Sequence, residues 1–391
     1  MIYHDLIIQE KIWTKLNNYA IKQKIPNAFL FYGDNGSGKE AHAIEFAALI
    51  NCDSIKDSRS CGECNSCKKI KKLQHGNVKL IHPLPTGNKK STSSSPFSAL
   101  TKSELEDYQK KLSLKISNPY YKINLPKANS ILINSIRLLK KDLLLSNIEK
   151  GWNIVIVLDA EKLCYPSNVS ANALLKILEE PPSKTLFILT TSSYSKIIDT
   201  IKSRCQNIFF PKISNNKLNQ FIKDDISDID KEVITNISNG NINLIKQLEE
   251  SIDNIYNDLK LFINACYSSD YKYNDKITQK VSLLKRNSET ELLIFFRIIM
   301  VYFKDLFVFS ESKDIKYLIY KKLDKHYYKI TKYHTDVNWN LCIEIIDNTL
   351  NNIYRNASIP LSINGMLIEI HEVIMKKETN MFNINEWLEI E

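Results

Sequence analysis

The octapeptide at residues 33–40, GDNGSGKE, constrains the fold of this chain more than any other stretch. It follows the phosphate-binding pattern G-x-x-x-x-G-K-[ST] up to the last position, where Glu40 stands in place of the hydroxyl residue. The apolar run at 28–33 predicts a buried strand before it, and residues 39–52 predict a helix after it. Because a strand, a loop and a helix in this order form a phosphate-binding loop (P-loop), we interpret residues 33–40 as one; a chance glycine turn is the alternative.

Three of the nine glycines in the chain are Gly33, Gly36 and Gly38. A sequence so poor in glycine has placed it where the backbone needs conformational freedom and close approach. In a P-loop the backbone N–H groups hold the phosphates, and the lysine, here Lys39, reaches the β- and γ-phosphates. These residues, with Glu40, are the predicted nucleotide-contacting part of the loop.

Two groups that ATP hydrolysis requires are altered. The hydroxyl of a P-loop binds Mg²⁺, whereas the Glu40 carboxylate would add negative charge beside a polyphosphate. Asp159 follows a buried apolar run and is the predicted second Mg²⁺ ligand. The next residue, Ala160, cannot accept a proton from water, and strand alternation predicts that Glu161 points away from the side that Ala160 faces. We therefore expect ATP and Mg²⁺ to bind weakly or not at all, and no hydrolysis here.

Four of the eight cysteines form a cluster, Cys52-x8-Cys61-x2-Cys64-x2-Cys67. In a chain from a reducing compartment this spacing predicts a tetrahedral zinc site and not disulfides. Four thiolates close the coordination shell, so such a zinc ion is structural; His75 and His82 are spare candidates. A redox dithiol and a cluster without metal are the alternatives.

Strands alternate with helices over the first 210 residues, which predicts an α/β fold with a parallel sheet and helices on both faces. The remainder has long helical periods and predicts an all-α half. We divide the chain into a P-loop domain (1–211), a small helical domain (212–272) and a helical bundle (273–391). Residues 86–130 are rich in Ser and Lys and lack a steady apolar period, so they predict an exposed insertion or a partly disordered loop.

Apolar residues make up 43% of the chain and charged residues 25%, with a formal charge of +9. No apolar run is long enough to cross a membrane and no targeting signal is apparent, which predicts a cytoplasmic protein without a membrane partner. The positive charge comes almost entirely from lysine. It is compatible with acidic or nucleic-acid partners, although a solvated lysine surface explains it as well.

The chain contains only six arginines among its 53 basic residues, and one of them is Arg204 in the triplet SRC. A guanidinium can hold a γ-phosphate through two parallel hydrogen bonds, which an ammonium group cannot reproduce. Arg204 is therefore a candidate arginine finger that acts on a neighbouring subunit. An ordinary salt bridge or a helix cap is the alternative.

Together these stretches resemble the bacterial DNA polymerase III clamp-loader subunits of the AAA+ class. The resemblance covers most of residues 1–211 and rests on the P-loop, the cysteine module, VIVLDAEKL, NALLKILEEPP and IKSRC. Within it, Thr191 falls at the polar sensor position of the nucleotide site. The gamma/tau motor subunits have the P-loop hydroxyl and an acidic pair, whereas the delta-prime type commonly lacks a working site yet keeps the SRC arginine. Glu40 and Ala160 group this chain with the delta-prime type.

The resemblance implies an AAA+ P-loop domain, a helical lid at 212–272 and a helical collar at 273–391. It implies that Arg204 helps a neighbouring subunit hydrolyse ATP while the complex loads a sliding clamp. The implied partners are the gamma/tau and delta subunits, the clamp, and primer–template DNA reached through the complex. An ATP-hydrolysing gamma/tau-type subunit is the alternative within the family. A P-loop kinase or a nucleic-acid-binding zinc protein is the alternative outside it, and the scarcity of arginine disfavours a kinase.

Overall fold

The structure is a computed structural model, and it describes residues 1–22, 24–86, 95–144, 149–267 and 271–375. The chain divides into two compact units. The sheet unit comprises Met1–Ile213 and Asn241–Asn243, and the helical unit comprises Ser214–Gly240 and the residues from Leu244 onward. The predicted division of the helical half at residue 272 stays a prediction.

The sheet unit is built on parallel strands, which in the described residues are β1 (Ala28–Tyr32), β2 (Val78–Ile81), β3 (Asn153–Val157), β4 (Thr185–Thr191) and β5 (Gln206–Phe209). They lie in the order β2-β3-β4-β1-β5, and every pairing is parallel. The three inner strands are almost entirely buried, because both faces of a parallel sheet are covered by helices. The predicted parallel sheet is confirmed.

The helices of the sheet unit are α1 (Glu10–Ile21), α2 (Lys39–Ile50), α3 (Asn65–Lys71), α4 (Lys102–Ser117), α5 (Ile133–Leu144), α6 (Val169–Glu179) and α7 (Asp199–Arg204). Leu30 of β1 shares a core cluster with residues of α5, α6 and α7. Its neighbour Phe29 points to the opposite face, where its ring contacts Tyr19 of α1 and Phe46 of α2. Helices therefore cover both faces of the sheet, as predicted.

Residues 95–130 include helix α4, so the expectation of a partly disordered loop is wrong there, although α4 itself is largely exposed, as an exposed insertion would be. Residues 87–94 lie outside the described part of the chain. Helix α4 begins at a capping box, in which the Glu104 N–H donates to Thr101 Oγ1 and the Thr101 N–H donates to Glu104 Oε2. The residues after the helix contribute Ile123, Leu125 and Ala128 to a small buried cluster. Local capping and this cluster together order the segment.

The helical unit contains α8 (Asn215–Asn219), α9 (Asp228–Ser238), α10 (Ile245–Glu250), α11 (Ile252–Tyr267), α12 (Tyr271–Asn287), α13 (Glu289–Ser312), α14 (Asp324–Tyr333), α15 (Trp339–Tyr354) and α16 (Ile359–Met375). Within its described residues no strand occurs, which confirms the all-α prediction. Helix α13 lies at the centre of this unit, in contact with α9, α11, α12, α14 and α15. None of the helices that the structure describes combines the length and apolar character needed to cross a membrane.

His326 on α14 is buried inside the helical unit. Its Nε2 atom lies 2.9 Å from the Tyr302 hydroxyl oxygen. Burial, assisted by the positive charge of Lys329, lowers the pKa of His326 to about 4. Asp305 in the same unit behaves oppositely, because burial raises its pKa to about 6 even though its carboxylate accepts a hydrogen bond from the Tyr320 N–H.

Replacing His326 with Gln should make the stability of the protein less sensitive to acid. The unfolded histidine has a pKa of about 6.5, so below that pH the unfolded chain takes up a proton that the folded chain does not. This lowers wild-type stability by about 2 kcal/mol between about pH 7 and pH 5. Asp305 opposes the trend, since its folded form takes up a proton first, but it contributes equally to both proteins.

The measurement is urea unfolding of the wild type and of His326→Gln at both ends of that pH range. The difference between their free energies of unfolding should change by about 2 kcal/mol. A difference that is independent of pH would contradict the lowered pKa.

Candidate nucleotide site and metal centre

The predicted nucleotide-site residues lie at the carboxyl edge of the sheet. The P-loop follows β1, Asp159 follows β3, and Thr191 ends β4, which lies between those two strands. Because the strands are parallel, their carboxyl ends meet at one edge, where α/β sheets bind ligands. The fold therefore brings together residues that are more than 150 positions apart in sequence.

The P-loop has the backbone that its glycines predict. A side chain at Gly33 would place its Cβ atom 2.2 Å from the carbonyl oxygen of Phe210. Gly38 has a φ of 85°, in the left-handed region, immediately before α2 begins at Lys39. The loop is thus a tight turn into a helix N-terminus, as a phosphate-binding loop requires.

Lys39 is bound by its own loop. Its side chain is buried, and its Nζ atom donates a hydrogen bond of 3.1 Å to the carbonyl oxygen of Asp34. Burial lowers the pKa of Lys39 and the ammonium group of Lys122 adds to this, whereas the carboxylates of Glu40 and Asp159 oppose it. The lysine expected to reach toward phosphates is therefore surrounded by charges that belong to the chain itself.

Glu40, at the position of the metal-binding hydroxyl, forms an ion pair with Lys115 at the end of α4. The distance from Lys115 Nζ to Glu40 Oε2 is 2.5 Å, and the two side chains are 0% and 14% exposed. Lys115 comes from the segment for which the sequence predicts a loop. Its burial is explained by this pair, because a lysine is almost never fully buried without a partner.

Asp159, the predicted Mg²⁺ ligand, is paired with Lys122 from the same segment. Lys122 Nζ lies 2.8 Å from Asp159 Oδ1 and 3.3 Å from Asn35 Oδ1 in the P-loop. Burial alone would lower the pKa of Lys122, but the carboxylates of Asp159 and Glu40 outweigh this and raise it. Lys122 therefore remains a cation at the place where a metal ion is predicted.

Glu161 points away from the side that Ala160 faces, as predicted, but it points toward Thr191 in the candidate nucleotide site. Asp159 has a φ of 49° and starts a 3₁₀ turn, so the strand alternation on which the prediction depends has already ended. Ala160 lies in the hydrophobic core, whereas Glu161 accepts hydrogen bonds from the Thr191 hydroxyl at 2.6 Å and the Ser192 hydroxyl at 3.1 Å. The candidate sensor residue Thr191 is thus bound to Glu161.

Little space remains over the P-loop. The cavity there has a volume of about 20 Å³ and is lined by the loop together with Pro119, Tyr120, Lys122 and Asn243. A water molecule needs about 10–15 Å³ on this measure, so the cavity holds one or two water molecules. Sequence reasoning missed Lys115 and Lys122, although the Thr-x-x-Glu capping signal at 101–104 could have revealed the helix that carries the first of them.

Arg204 ends α7 at a different part of the sheet unit. One of its terminal nitrogens lies 2.7 Å from Glu179 Oε1, and the other donates to the Thr200 carbonyl oxygen at 3.2 Å. The arginine is 38% exposed and the glutamate 48%. The side chain is thus accessible to solvent and held in one direction by an exposed carboxylate.

The cysteine cluster has the geometry of a metal centre. The four Sγ atoms of Cys52, Cys61, Cys64 and Cys67 all lie within 4.8 Å of one another. Zinc–sulfur bonds of about 2.3 Å in a tetrahedron place the sulfurs about 3.8 Å apart, and the distance between Cys61 Sγ and Cys67 Sγ is 3.9 Å. These four residues could therefore bind a metal ion.

Backbone N–H groups surround the thiols. The N–H groups of Cys61, Cys64 and Cys67 donate to the sulfurs of Cys52, Cys61 and Cys64 respectively, at 3.2 to 3.4 Å. The backbone donors of Cys64 and Glu63 lower the pKa of Cys61 to about 6, whereas burial raises the pKa of Cys52 and Cys67. Such N–H···S bonds stabilise thiolate, the form that binds metal.

The two spare histidines lie outside this cluster. His75 contacts Ser66 Oγ at 3.1 Å and Glu149 at 3.4 Å. His82 lies 2.9 Å from the Pro83 carbonyl oxygen and stacks on Tyr108. Neither histidine belongs to the cysteine group, so the candidate ligand set is the four thiols.

Several proteins of known structure or sequence are similar to this chain. A DNA polymerase III gamma subunit-related protein from Thermotoga maritima aligns with 92% of this chain and 99% of its own, at 16% identity and a TM-score of 0.41. Subunit tau from Bacillus subtilis is 23% identical over 84% of this chain and 54% of its own length. Subunit gamma/tau from Mycoplasma genitalium is 27% identical over 65% of this chain and 36% of its own. Subunit delta' from Bacillus subtilis is 24% identical over 60% of this chain and 57% of its own.

The chain thus spans between about a third and somewhat over half of the length of these relatives. The model of the family described as "DNA polymerase III, delta subunit" matches residues 8–214. This match includes the P-loop, the cysteine cluster and the SRC triplet, and it covers more than half of the chain. The chain therefore belongs to the DNA polymerase III delta subunit family.

Proposed function

We propose that this chain is a subunit of a bacterial DNA polymerase III clamp loader that does not itself hydrolyse ATP, of the delta-prime type and with an AAA+ P-loop domain. The observation that carries this proposal is the engagement of Glu161. Ala160, the residue next to Asp159, is buried in the core and has no carboxylate. Glu161 is turned to the hydroxyl groups of Thr191 and Ser192, so the position of the water-activating base lacks a base. The carboxylate at position 40 removes the metal-binding hydroxyl in addition.

Arg204 is the residue through which the chain acts. Its guanidinium is exposed and bound to a single carboxylate, that of Glu179. A γ-phosphate of ATP on a neighbouring gamma/tau-type subunit offers the same planar pair of acceptors with more negative charge, so it can replace that carboxylate. Arg204 would then stabilise the charge that develops during hydrolysis on the neighbour.

The remaining parts of the proposal follow from membership of such a complex. The helical residues from 273 onward form the collar that joins the chain to gamma/tau and delta subunits, and residues 212–272 form the lid. The assembled complex works in the cytoplasm, places the sliding clamp on primer–template DNA, and contacts DNA through its subunits together. The four cysteines hold a structural Zn²⁺, which leaves no open coordination position for catalysis.

A gamma/tau-type ATPase is the second candidate, and one observation favours it. The tau subunit of Bacillus subtilis aligns with a larger share of this chain than does the delta' subunit of the same organism. In that case Glu40 would leave Lys115 and bind Mg²⁺ directly.

ATP turnover by the purified chain separates the two candidates. We expect phosphate release no faster than that of a Lys39→Ala variant, and about one zinc ion per chain in the same sample. Turnover that depends on Mg²⁺ and disappears in Lys39→Ala would identify a motor subunit.

A further inference from the structure

A short segment that starts in the last turn of α4 covers the P-loop. The predicted nucleotide site does not include any of its residues. We call residues 115–122 the covering segment. Lys115 pairs with Glu40 and Lys122 pairs with Asp159. Between them, Tyr120 is buried, its hydroxyl oxygen accepts a hydrogen bond of 2.6 Å from the Ile7 N–H, and its ring lies 3.3 Å from the Cβ position of Gly38.

We propose that the covering segment is the resident occupant of the P-loop, with the ammonium groups of Lys115 and Lys122 in the place of a metal ion, and that it closes the loop to nucleotides. The proposal concerns residues 95–130 and the P-loop alone. It goes beyond the role proposed for Arg204 and does not depend on that role.

The charges of the site balance without a ligand. Three ammonium groups, those of Lys39, Lys115 and Lys122, are present. Three carboxylates, those of Glu40, Asp159 and Glu161, are their counterparts. A P-loop ordinarily carries excess positive charge and Mg²⁺ to hold a polyphosphate. Here an incoming polyphosphate would meet carboxylates whose cations are already engaged.

Opening the site would break a buried ion pair. Lys115 has no exposed surface, and separating it from Glu40 would leave two charges unpaired in a low-dielectric environment. The segment is also held by the Tyr120 hydroxyl, which accepts from the Ile7 N–H, and by the buried cluster that follows it and includes Ile123 and Leu125. These anchors distinguish it from a surface loop that moves aside at little cost.

The space over the loop leads to the same conclusion. The cavity over the P-loop has a volume of about 20 Å³, and Pro119, Tyr120 and Lys122 of the covering segment line it. These side chains therefore lie where the phosphates of a nucleotide would approach the loop.

The first test is equilibrium binding of Mg·ATP to the isolated full chain by calorimetry. We expect no saturable binding by the wild type. We also expect none by Glu40→Thr, which restores the hydroxyl but keeps both lysines. The triple variant Glu40→Thr/Lys115→Met/Lys122→Ala should bind Mg·ATP at least about tenfold more tightly than the limit set for Glu40→Thr. Adding Lys39→Ala to the triple variant should abolish that binding.

A matched control removes two lysines from exposed positions of the same helix. Glu40→Thr/Lys102→Ala/Lys110→Met loses the same two positive charges as the triple variant, but Lys102 and Lys110 are exposed. It should bind as poorly as Glu40→Thr. Equal binding by the control and the triple variant would show that total charge, and not the covering segment, decides, and would overturn the proposal.

The second test needs no nucleotide. Lys115→Met alone should lower the midpoint of thermal unfolding by roughly 10 °C, because it leaves the Glu40 carboxylate, only 14% exposed, without its ammonium partner. The double variant Glu40→Met/Lys115→Met should recover most of that loss. If the shifts in the unfolding midpoint caused by the two substitutions were additive, the two side chains would not form a stabilising ion pair.

Three further results would overturn the proposal. They are saturable Mg·ATP binding by the wild type, equal binding by Glu40→Thr and the triple variant, and failure of a folded triple variant to bind. Binding without turnover by the wild type would remove this proposal and leave the proposed function intact. Unchanged ATP turnover by a complex that carries Arg204→Ala would overturn the proposed function and leave this proposal intact.

Discussion

Substituting Cys64 with Ser should abolish the proposed zinc binding and lower the free energy of unfolding of the sheet unit by about 3–5 kcal/mol. Structural zinc contributes on the order of 10 kcal/mol in isolated finger peptides, where it is the main source of order. The loss here is smaller, because the sheet and its helices keep their own core. Zinc content and urea unfolding of the same preparations measure the two effects.

The loss should extend beyond the cysteines themselves. Ser60, next to the cluster, donates a hydrogen bond of 2.6 Å to Glu45 Oε1 on α2. Glu45 is fully buried, and it also accepts hydrogen bonds from the N–H groups of Ile2 and Tyr3. When the cluster loosens, Glu45 loses the Ser60 hydroxyl, and a buried carboxylate that loses a donor destabilises its surroundings.

A second cysteine provides the control. Cys164 is a half-buried free thiol outside the cluster. Cys164→Ser should keep about one zinc ion per chain. If Cys64→Ser kept the same metal content as Cys164→Ser, the four thiols would not be the metal centre.

Replacing Arg204 with Ala should reduce ATP turnover at the neighbouring subunit's site in the assembled complex by about 10³-fold or more. The loss is large because the guanidinium offers two parallel hydrogen bonds to the γ-phosphate while charge develops there. Arg204→Lys should fail almost as badly, since an ammonium group keeps the charge but not the fork. DNA-stimulated turnover of the reconstituted complex, with the other subunits unchanged, is the measurement.

Arg137 provides the matched control for this experiment. It lies at an exposed position on α5 of the same unit, so Arg137→Ala removes one guanidinium without touching Arg204 or Glu179. Its complex should turn over ATP like the wild type. Equal rates for the Arg204→Ala and Arg137→Ala complexes would show that Arg204 is not a finger.

The sheet was predictable because its strands are continuous apolar runs in the sequence. The stretch before Asp159 and the stretch before Thr191 are buried on both faces of a parallel sheet, so they show no polar alternation and contrast sharply with their neighbours. The P-loop was predictable for another reason. Left-handed and tightly packed backbone positions demand glycine, and this chain has little glycine elsewhere.

The two lysines that pair with the carboxylates of the site were not predictable in the same way. Lys115 and Lys122 look like ordinary solvated lysines in a Ser/Lys-rich stretch, and only tertiary structure reveals their partners at positions 40 and 159. Strand alternation separated Glu161 from Ala160 but did not reveal that Glu161 bonds to Thr191, because β3 ends at Val157 and a 3₁₀ turn follows Asp159. Periodicity rules hold inside regular elements, and functional residues often lie just beyond them.

The course of β5 sets a limit on what one copy of this chain can do. Arg204 lies just before β5 begins, while Phe210, just after it ends, touches Gly33 of the P-loop. At about 3.3 Å per residue, β5 keeps the backbone of Arg204 more than about 10 Å from the P-loop of the same chain, at the opposite edge of the sheet. The candidate arginine finger and the P-loop therefore lie at opposite ends of β5. A molecule with this arrangement can present Arg204 to a second molecule but not to its own P-loop.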